Sequence, residues 1–459
     1  MTIHQVRFWD IRKITDTRGG RYRVRWTVAS RERCRSFTTK ALADAFLTEL
    51  KKAARDGEPF DPATGLPARQ APEKTAPAVT WYQHATSYAA MKWPDLAPKS
   101  RRAVAEALTT ITIALTSPAP GPAEADRLRR ALFGHAFNAP AADTPAPADV
   151  AAILGRAAAA SMPVTALEQP AVLRAVLAAC AKRLDGTAAA ATTTRRKRAV
   201  LVNAIGYAIE AGHLTANPVT RIRRGRSAVA ETVDRRAVAN PCQARALLKA
   251  AAARGRRGEH LQAFYACLYY AALRPSEAIA LREADCVLPE IGWGRIDLSA
   301  SAPRAGTAWT DTGAARQRQG LKHRAPGQTR TIPIPPELVA ILLAHIARYG
   351  TAPDGRLFRT RRGGHVTDSS YLEIWKQARH AALSPEQAAT PLARRPYDLR
   401  HAAVSLWLNS GVPATEVARR AGHSVAVLLK VYASCLDGQA APANQRISEA
   451  LEWTDGELS

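Results

Sequence analysis

The chain has 459 residues and carries 65 Lys and Arg against 39 Asp and Glu, a formal net charge of +26 at pH 7. Hydrophobic residues make up 47% of it, too many for a wholly disordered chain, and no apolar run reaches the roughly 18–20 residues of a membrane-spanning helix. The charged N-terminus contains no apolar core of a secretory signal. We therefore expect a multidomain cytoplasmic protein, associated with the nucleoid, whose positive charge is neutralised by nucleic acid rather than by a membrane.

Residues 1–57 are predicted to form a three-stranded sheet followed by one helix. Apolar and polar residues alternate over 22–28, which is typical of a half-buried strand, and Gly19-Gly20 predicts a hairpin turn before it. Thr39 is the predicted N-cap of the helix. Three arginines share the opposite face of the strand, where they are either solvated or in contact with DNA: Arg21, Arg23 and Arg25.

A Pro-rich linker is predicted over 58–79, a helical DNA-binding domain over 80–220 and a basic linker over 221–240. Two helix starts of the helical domain carry basic clusters, and helix N-termini favour phosphate. A solvated basic turn explains either cluster alone, whereas two clusters in one small domain favour DNA contact. The predicted contacts are Lys99, Arg101, Arg102, Arg195, Arg196, Lys197 and Arg198, together with Arg223 and Arg224 of the basic linker.

Residues 241–459 are predicted to form a third, mostly helical domain with a small antiparallel sheet. Near its start an apolar helix runs up to Leu273, Arg274 follows, and Pro275 restarts a helix with Glu277 in its first turn. An arginine between two apolar helices is costly to bury unless a carboxylate or a phosphate meets it. Glu277 is the expected partner, and a structural ion pair is the simpler explanation of this segment alone.

Lys322 precedes the second of two predicted strands in a stretch that is otherwise rich in arginine. It is the only lysine between positions 250 and 375. A lysine retained in such a composition indicates chemistry that needs a compact donor able to release its proton, although chance explains a single position as well.

Two further segments place polar groups at helix ends. Asp398 is the predicted N-cap of a helix, which puts Arg400 in the first turn, where a cation is disfavoured unless an anion or solvent compensates it. His423 lies between two helices, and Tyr432 follows nine residues later on an apolar helix, where an isolated tyrosine is most often part of a core.

Together these segments resemble the catalytic domain of the tyrosine recombinases, the phage integrase family. The resemblance rests on the segments LRPSE (273–277), YDLRH (397–401) and AGHS (421–424), on Lys322 and on the spacing of Tyr432 from His423. The succession of sheet, helical domain and catalytic domain is similar to that of the larger integrases. The Ala- and Arg-rich composition resembles integrases of actinobacterial mobile elements.

The resemblance implies a site-specific recombinase that cleaves and rejoins DNA through a 3′-phosphotyrosyl intermediate and integrates or excises a mobile element. Tyr432 would be the nucleophile, and Lys322 the general acid. Arg274 and Arg400 would bind the phosphate oxygens, with His423 donating a further hydrogen bond and Glu277 orienting Arg274. The family's second motif usually begins with His where this chain has Tyr397, a far weaker base near neutral pH.

The resemblance also implies double-stranded attachment sites as substrates, a tetramer on DNA and an accessory directionality factor. No cofactor and no metal ion is expected, because neither a Gly-rich phosphate loop nor a metal-ligand pattern is present in the sequence. Two other functions are compatible with the same motifs: a type IB topoisomerase, which relaxes DNA without exchanging partners, and a DNA-binding regulator that does not use its catalytic residues.

Overall fold

The computed structural model describes residues 6–16, 19–62, 64–67, 78–222, 232–322, 324–325, 327–432, 435 and 440–452. They fall into two compact units, Met1–Ala78 and Val79–Ser459. The expected fold class is confirmed, because the described residues are mainly helical with two small antiparallel sheets. No helix among them is long and apolar enough to cross a membrane.

The N-terminal sheet has four described strands instead of the expected three: β1 (Val6–Phe8), β2 (Arg12–Asp16), β3 (Gly19–Val28) and β4 (Arg31–Phe37). The ten-residue strand β3 is long enough to pair with all three of the others. The predicted turn at Gly19-Gly20 is wrong, because both glycines belong to β3 and pair with Asp16 and Thr15 inside the ladder.

Helix α1 (Lys40–Arg55) covers one face of this sheet. Its predicted cap is present, since Thr39 Oγ1 accepts a hydrogen bond from the Leu42 amide at 3.3 Å. The core contains Trp26, whose indole N–H donates to the carbonyl of Gly65 at 2.5 Å. The beginning of the predicted linker therefore packs against the sheet.

The second unit begins with helices packed around the buried side chains of Trp81, Leu108 and Leu201. Their bounds are α2 (Trp81–Lys92), α3 (Pro98–Ala114), α4 (Pro122–Ala131), α5 (Ala139–Ala142), α6 (Ala148–Ala160), α7 (Pro170–Cys180) and α8 (Ala191–Glu210). The predicted boundary between two domains at 220–241 lies inside this unit and stays a prediction.

The remainder of the second unit surrounds a three-stranded antiparallel sheet in the order β5 (Cys286–Val287), β6 (Gly294–Leu298), β7 (Arg330–Ile334). The helices are α9 (Pro241–Ala252), α10 (Gly255–Tyr270), α11 (Pro275–Ala280), α12 (Pro336–Tyr349), α13 (Asp368–Ala382), α14 (Pro385–Ala389), α15 (Asp398–Asn409), α16 (Ala414–Ala421), α17 (Val425–Tyr432) and α18 (Ala440–Glu452). Alternate residues of β7 face the core, and the first of these is Arg330.

The segment 299–329 between β6 and β7, here called the excursion, docks onto the helices of residues 79–222. The Trp309 ring is buried beside the rings of Trp93 and Phe133, with centroids 5.8 and 4.9 Å away. Arg101 Nη1 donates to Asp311 Oδ1 at 2.6 Å and to the Trp309 carbonyl at 3.3 Å. The guanidinium also lies over the Trp93 ring, 4.7 Å from its centroid. The excursion thus closes one side of the helical core.

Replacing Arg101 with Ala is expected to lower the free energy of unfolding by about 2–3 kcal/mol, because a buried, charge-assisted hydrogen bond to the excursion is lost. The neighbouring variant Arg102→Ala is the matched control, since Arg102 is exposed and its loss is expected to change stability by less than about 0.5 kcal/mol. Denaturant unfolding of the full chain measures both. Equal stabilities of the two variants would contradict the structural role of Arg101.

Candidate active site

Arg274 is positioned by the start of helix α11. Its backbone N–H donates to Glu277 Oε2 at 2.9 Å, and its Nη1 donates to Oε1 at 2.6 Å. Its Nη2 donates to the carbonyl of Gly422 at 3.1 Å. The Arg274 side chain keeps 19% of its surface exposed, so this guanidinium is accessible from solvent.

A second arginine, Arg330, binds the same carboxylate from the other side. Its Nη1 and Nη2 donate to Glu277 Oε1 and Oε2 at 3.1 and 2.7 Å, and both side chains are almost fully buried. Burial opposes ionisation of Glu277, but the guanidiniums of Arg330, Arg274 and Arg400 outweigh it and lower its pKa to about 2. Glu277 therefore anchors two arginines rather than one.

Arg400 lies in the first turn of α15 and has no exposed surface. Its Nη1 donates to the carbonyl of Ala272, and its Nη2 donates to the Ala421 carbonyl at 2.5 Å and to His423 Nε2 at 2.8 Å. Burial, reinforced by the charge of Arg274, lowers its pKa to about 10, so the group remains charged at neutral pH. Its Nε is buried without a partner among the described residues.

These contacts concentrate positive charge. Three guanidiniums, from Arg274, Arg330 and Arg400, interact with a single carboxylate, that of Glu277. Such an excess of buried cationic donors is stabilised by an anion, and planar guanidiniums suit the oxygens of a phosphate or a carboxylate. The arrangement is therefore a candidate anion site.

The position of His423 depends on the glycine before it. Gly422 ends α16 with φ of 65°, and a Cβ at this position would collide with the guanidinium of Arg330. Burial, together with the charges of Arg400, Arg274 and Arg330, lowers the pKa of His423 to about 3. The neutral ring accepts from Arg400 at Nε2, which assigns its proton to Nδ1, and Nδ1 has no partner among the described residues.

Tyr432 ends α17 and is 1% exposed. Its ring stacks near that of His423, with centroids 6.2 Å apart, and its hydroxyl lies 2.9 Å from His401 Nδ1. Burial raises the pKa of the Tyr432 phenol, while the charge of Arg400 opposes the shift. The phenol is therefore protonated at neutral pH.

Tyr397 lies beside the same cluster, and its ring makes an edge contact with that of His401 at 5.1 Å. It also corrects an expectation: Tyr397, not Asp398, is the N-cap of α15. Asp398 instead accepts the backbone N–H of Arg395 at 2.8 Å, because the chain makes a tight turn just before the helix. Arg400 keeps its predicted place in the first turn.

The contacts described above do not include Lys322. Its side chain is exposed on the excursion and makes neither a hydrogen bond nor an ion pair with the rest of the described chain. The predicted role of Lys322 as a proton donor stays a prediction.

Two residues of the cluster were missed by the sequence analysis. Arg330 had a usable signal, because it shares the inward parity of Ile332 and Ile334 in a strand. His401 was noticed only as the neighbour of Arg400. Its contact joins positions 31 residues apart, and no local pattern indicates it.

The predicted DNA-contacting residues differ in exposure. Arg25 is half-buried and pairs with Glu32 at 3.2 Å, and Arg196 pairs with Glu106 at 3.0 Å. Those with exposed side chains are Arg21, Arg23, Lys99, Arg102, Arg195 and Arg196.

For two residues of the basic clusters, Arg101 and Lys197, the predicted contact with DNA is wrong. Arg101 is buried against the excursion, and Lys197 is buried with its Nζ donating to Thr110 Oγ1 at 3.1 Å, because both sit on the inward faces of their helices. Arg198 is half-buried. Arg223 and Arg224 lie outside the described residues.

Residues 238–437 match the sequence profile of the phage integrase family. Solved structures with a similar fold include the Tn1549 transposon integrase with transposon right end DNA (17% identity, TM-score 0.45, covering 64% of this chain and 88% of that one). A second is the XerH site-specific recombinase with difH substrate (12% identity, TM-score 0.45, covering 82% of this chain and 97% of that one). A third is the lambda integrase with DNA (14% identity, TM-score 0.41, covering 75% of this chain and 92% of that one). The comparison with curated proteins found no match.

Residues 238–437 thus form a domain of the phage integrase family, and this domain contains all of the cluster around Tyr432. Members of the family are tyrosine recombinases. The matched domain is accordingly that of an enzyme of this class.

Proposed function

We propose that the protein is an integrase that cleaves and rejoins DNA through a 3′-phosphotyrosyl intermediate. The observation that supports this most directly is a single buried cluster. Arg400 donates to His423, the His423 ring stacks near that of Tyr432, and Arg274 donates to the adjacent Gly422 carbonyl. Cationic donors and a nucleophile in one buried cluster fit a phosphodiester, which is an anion that must be both held and attacked.

In the proposed reaction the Tyr432 oxygen attacks the phosphorus of the scissile phosphodiester. The new bond joins the phenolic oxygen to the 3′-phosphate, the bond to the 5′-oxygen breaks, and that oxygen leaves as a hydroxyl after taking up a proton. A second 5′-hydroxyl later attacks the phosphotyrosine and regenerates Tyr432. The number of phosphoester bonds is unchanged, so the cycle needs no nucleotide cofactor.

Arg274 and Arg400 would bind the non-bridging oxygens and stabilise the charge that develops in the transition state. Arg330 and Glu277 do not need to touch the substrate, because their role is to hold Arg274 and the Gly422 carbonyl in place. The unpartnered Nδ1–H of His423 is a suitable donor to a phosphate oxygen. The side chains of Arg274, Arg400 and His423 are held by these contacts in the absence of DNA.

Lys322 would protonate the departing 5′-oxygen. Because its side chain is exposed on the excursion, this role requires the excursion to bring Lys322 to the phosphate when DNA binds. Tyr397 would support the phosphate or Arg274 rather than act as a base, because a phenol is a weak base near neutral pH.

The DNA itself would be held by the exposed basic residues, which neutralise backbone phosphates without reading sequence. On the helical region these are Lys99, Arg102 and Arg195, and on the N-terminal sheet they are Arg21 and Arg23. The proposal also includes a tetramer on DNA, an accessory directionality factor, residence at the nucleoid and a role in moving a mobile element. The match of residues 238–437 to the phage integrase family supports these features.

The proposal is tested with two assays of the full chain on duplexes taken from the DNA that flanks its gene. A nicked suicide duplex should trap a covalent protein–DNA adduct, and two attachment sites on separate duplexes should exchange strands. Failure to form the adduct would leave a DNA-binding regulator as the better description. Adduct formation and relaxation of supercoiled DNA without exchange between sites would instead identify a topoisomerase.

A further inference from the structure

His401 makes the one hydrogen bond that the Tyr432 hydroxyl forms with the described residues. Its Nδ1 lies 2.9 Å from Tyr432 Oη. Both groups are held: His401 is in the first turn of α15 directly after Arg400, and the Tyr397 ring packs against the imidazole. The contact is therefore built by the same helix start that places Arg400.

The direction of this hydrogen bond follows from the protonation states of the two groups. Burial, together with the charges of Arg400 and Arg395, lowers the pKa of His401 to about 4, so the ring is neutral at neutral pH. Burial keeps Tyr432 protonated. The phenol therefore donates and Nδ1 accepts, which places the ring proton of His401 on Nε2.

Three other candidate proton acceptors of the active-site region are already engaged. His423 Nε2 accepts from Arg400, and its other nitrogen carries the proton. The carboxylate of Glu277 is bound by two guanidiniums, and that of Asp398 by Arg395. Tyr397 offers a phenol, which is a weak base.

We infer that His401 is the general base of the cleavage step, in the place where the family's usual histidine is replaced by Tyr397. The inference rests on the proposed function. As Tyr432 Oη bonds to phosphorus, its proton passes to His401 Nδ1 and the electron pair of the breaking P–O bond goes to the 5′-oxygen. In the reverse step the imidazolium returns that proton to the phenolic oxygen as the P–O bond to Tyr432 breaks.

A bound phosphate would make this transfer more favourable. Burial and the charges of Arg400 and Arg395 disfavour the imidazolium of His401. A phosphodiester brings a negative charge into the cluster, and a nearby opposite charge stabilises a cation. The base would thus gain proton affinity when its substrate is bound.

The test compares His401→Asn with wild type on a duplex whose scissile bond has a 5′-bridging sulfur. A thiolate leaves without protonation, so the contribution of Lys322 is removed and only activation of the nucleophile is measured. Asn retains an acceptor near the position of Nδ1 but cannot take up a proton. We expect adduct formation to slow by about 100- to 10,000-fold with unchanged DNA affinity.

His380→Asn is the matched control, because His380 is an exposed histidine at the end of α13, and we expect wild-type rates from it. Added imidazole should restore part of the rate to His401→Ala, which a merely structural role would not allow. A wild-type rate for His401→Asn would overturn the inference while leaving the proposed function intact. If the wild type itself forms no adduct, the proposed function fails and the inference fails with it.

Discussion

Replacing Tyr432 with Phe is expected to abolish covalent capture of DNA while leaving the fold unchanged. The hydroxyl oxygen of Tyr432 is the atom that bonds to phosphorus in the proposed reaction. Among the described residues of the cluster, the other tyrosine hydroxyl is that of Tyr397, whose ring also contacts His401. The aromatic ring, which is buried against the core of α15–α17, is retained in the variant, so packing is preserved.

The measurement is a denaturing gel of labelled suicide duplex, followed by mass spectrometry of the peptide that carries the nucleotide. Tyr88→Phe is a suitable control, because Tyr88 is equally buried but lies in helix α2, far along the chain from the cluster. The control should form adduct at the wild-type rate. An adduct with the Tyr432→Phe protein, or one mapped to Tyr397, would show that the nucleophile is another residue.

Replacing Glu277 with Ala is expected to lower the free energy of unfolding by about 3–5 kcal/mol. The substitution leaves the guanidinium of Arg330 buried with its counter-charge removed, and it frees Arg274 from two hydrogen bonds. Glu277→Gln is the matched variant, because it keeps the shape and one acceptor oxygen but not the charge, and a smaller loss is expected. Urea unfolding of the full chain compares the three proteins.

The carboxylate of Glu277 also makes the stability of the folded protein decrease at low pH. The pKa of Glu277 is about 2 in the folded protein against an ordinary 4.5, so its contribution is fully present above about pH 4.5 and is lost as the pH falls toward 2. The Glu277→Gln protein should therefore lose less stability between pH 5 and pH 3 than the wild type. Parallel curves for the two proteins would contradict the assigned ion pairs.

The parts of the site that the sequence could indicate are those governed by local rules. The breaker Pro275 and the spacing to Glu277 predict how Arg274 is oriented, and Gly422 predicts the helix end before His423. The predicted cap Thr39 and the alternation of β3 are of the same kind. In each case a few neighbouring residues determine the conformation of the backbone.

The parts of the fold and the site that the sequence could not indicate depend on contacts between distant segments. Arg330 reaches Glu277 across 53 residues, and Arg101 reaches Asp311 across 210. A basic residue at a helix start has the same sequence pattern whether it faces solvent or a docked segment, which is why Arg101 and Lys197 were placed on the surface. Only the tertiary fold distinguishes the two cases.

The docking of the excursion has a consequence for exchanging parts between recombinases. Trp309 and Asp311 lie between β6 and β7 in the sequence, yet they complete the core that contains Trp93 and Arg101. A chimera that grafts residues 79–222 onto another catalytic domain would leave a cavity in the graft and an arginine without its carboxylate. The transplantable module is therefore discontinuous, and besides residues 79–222 it includes Trp309 and Asp311.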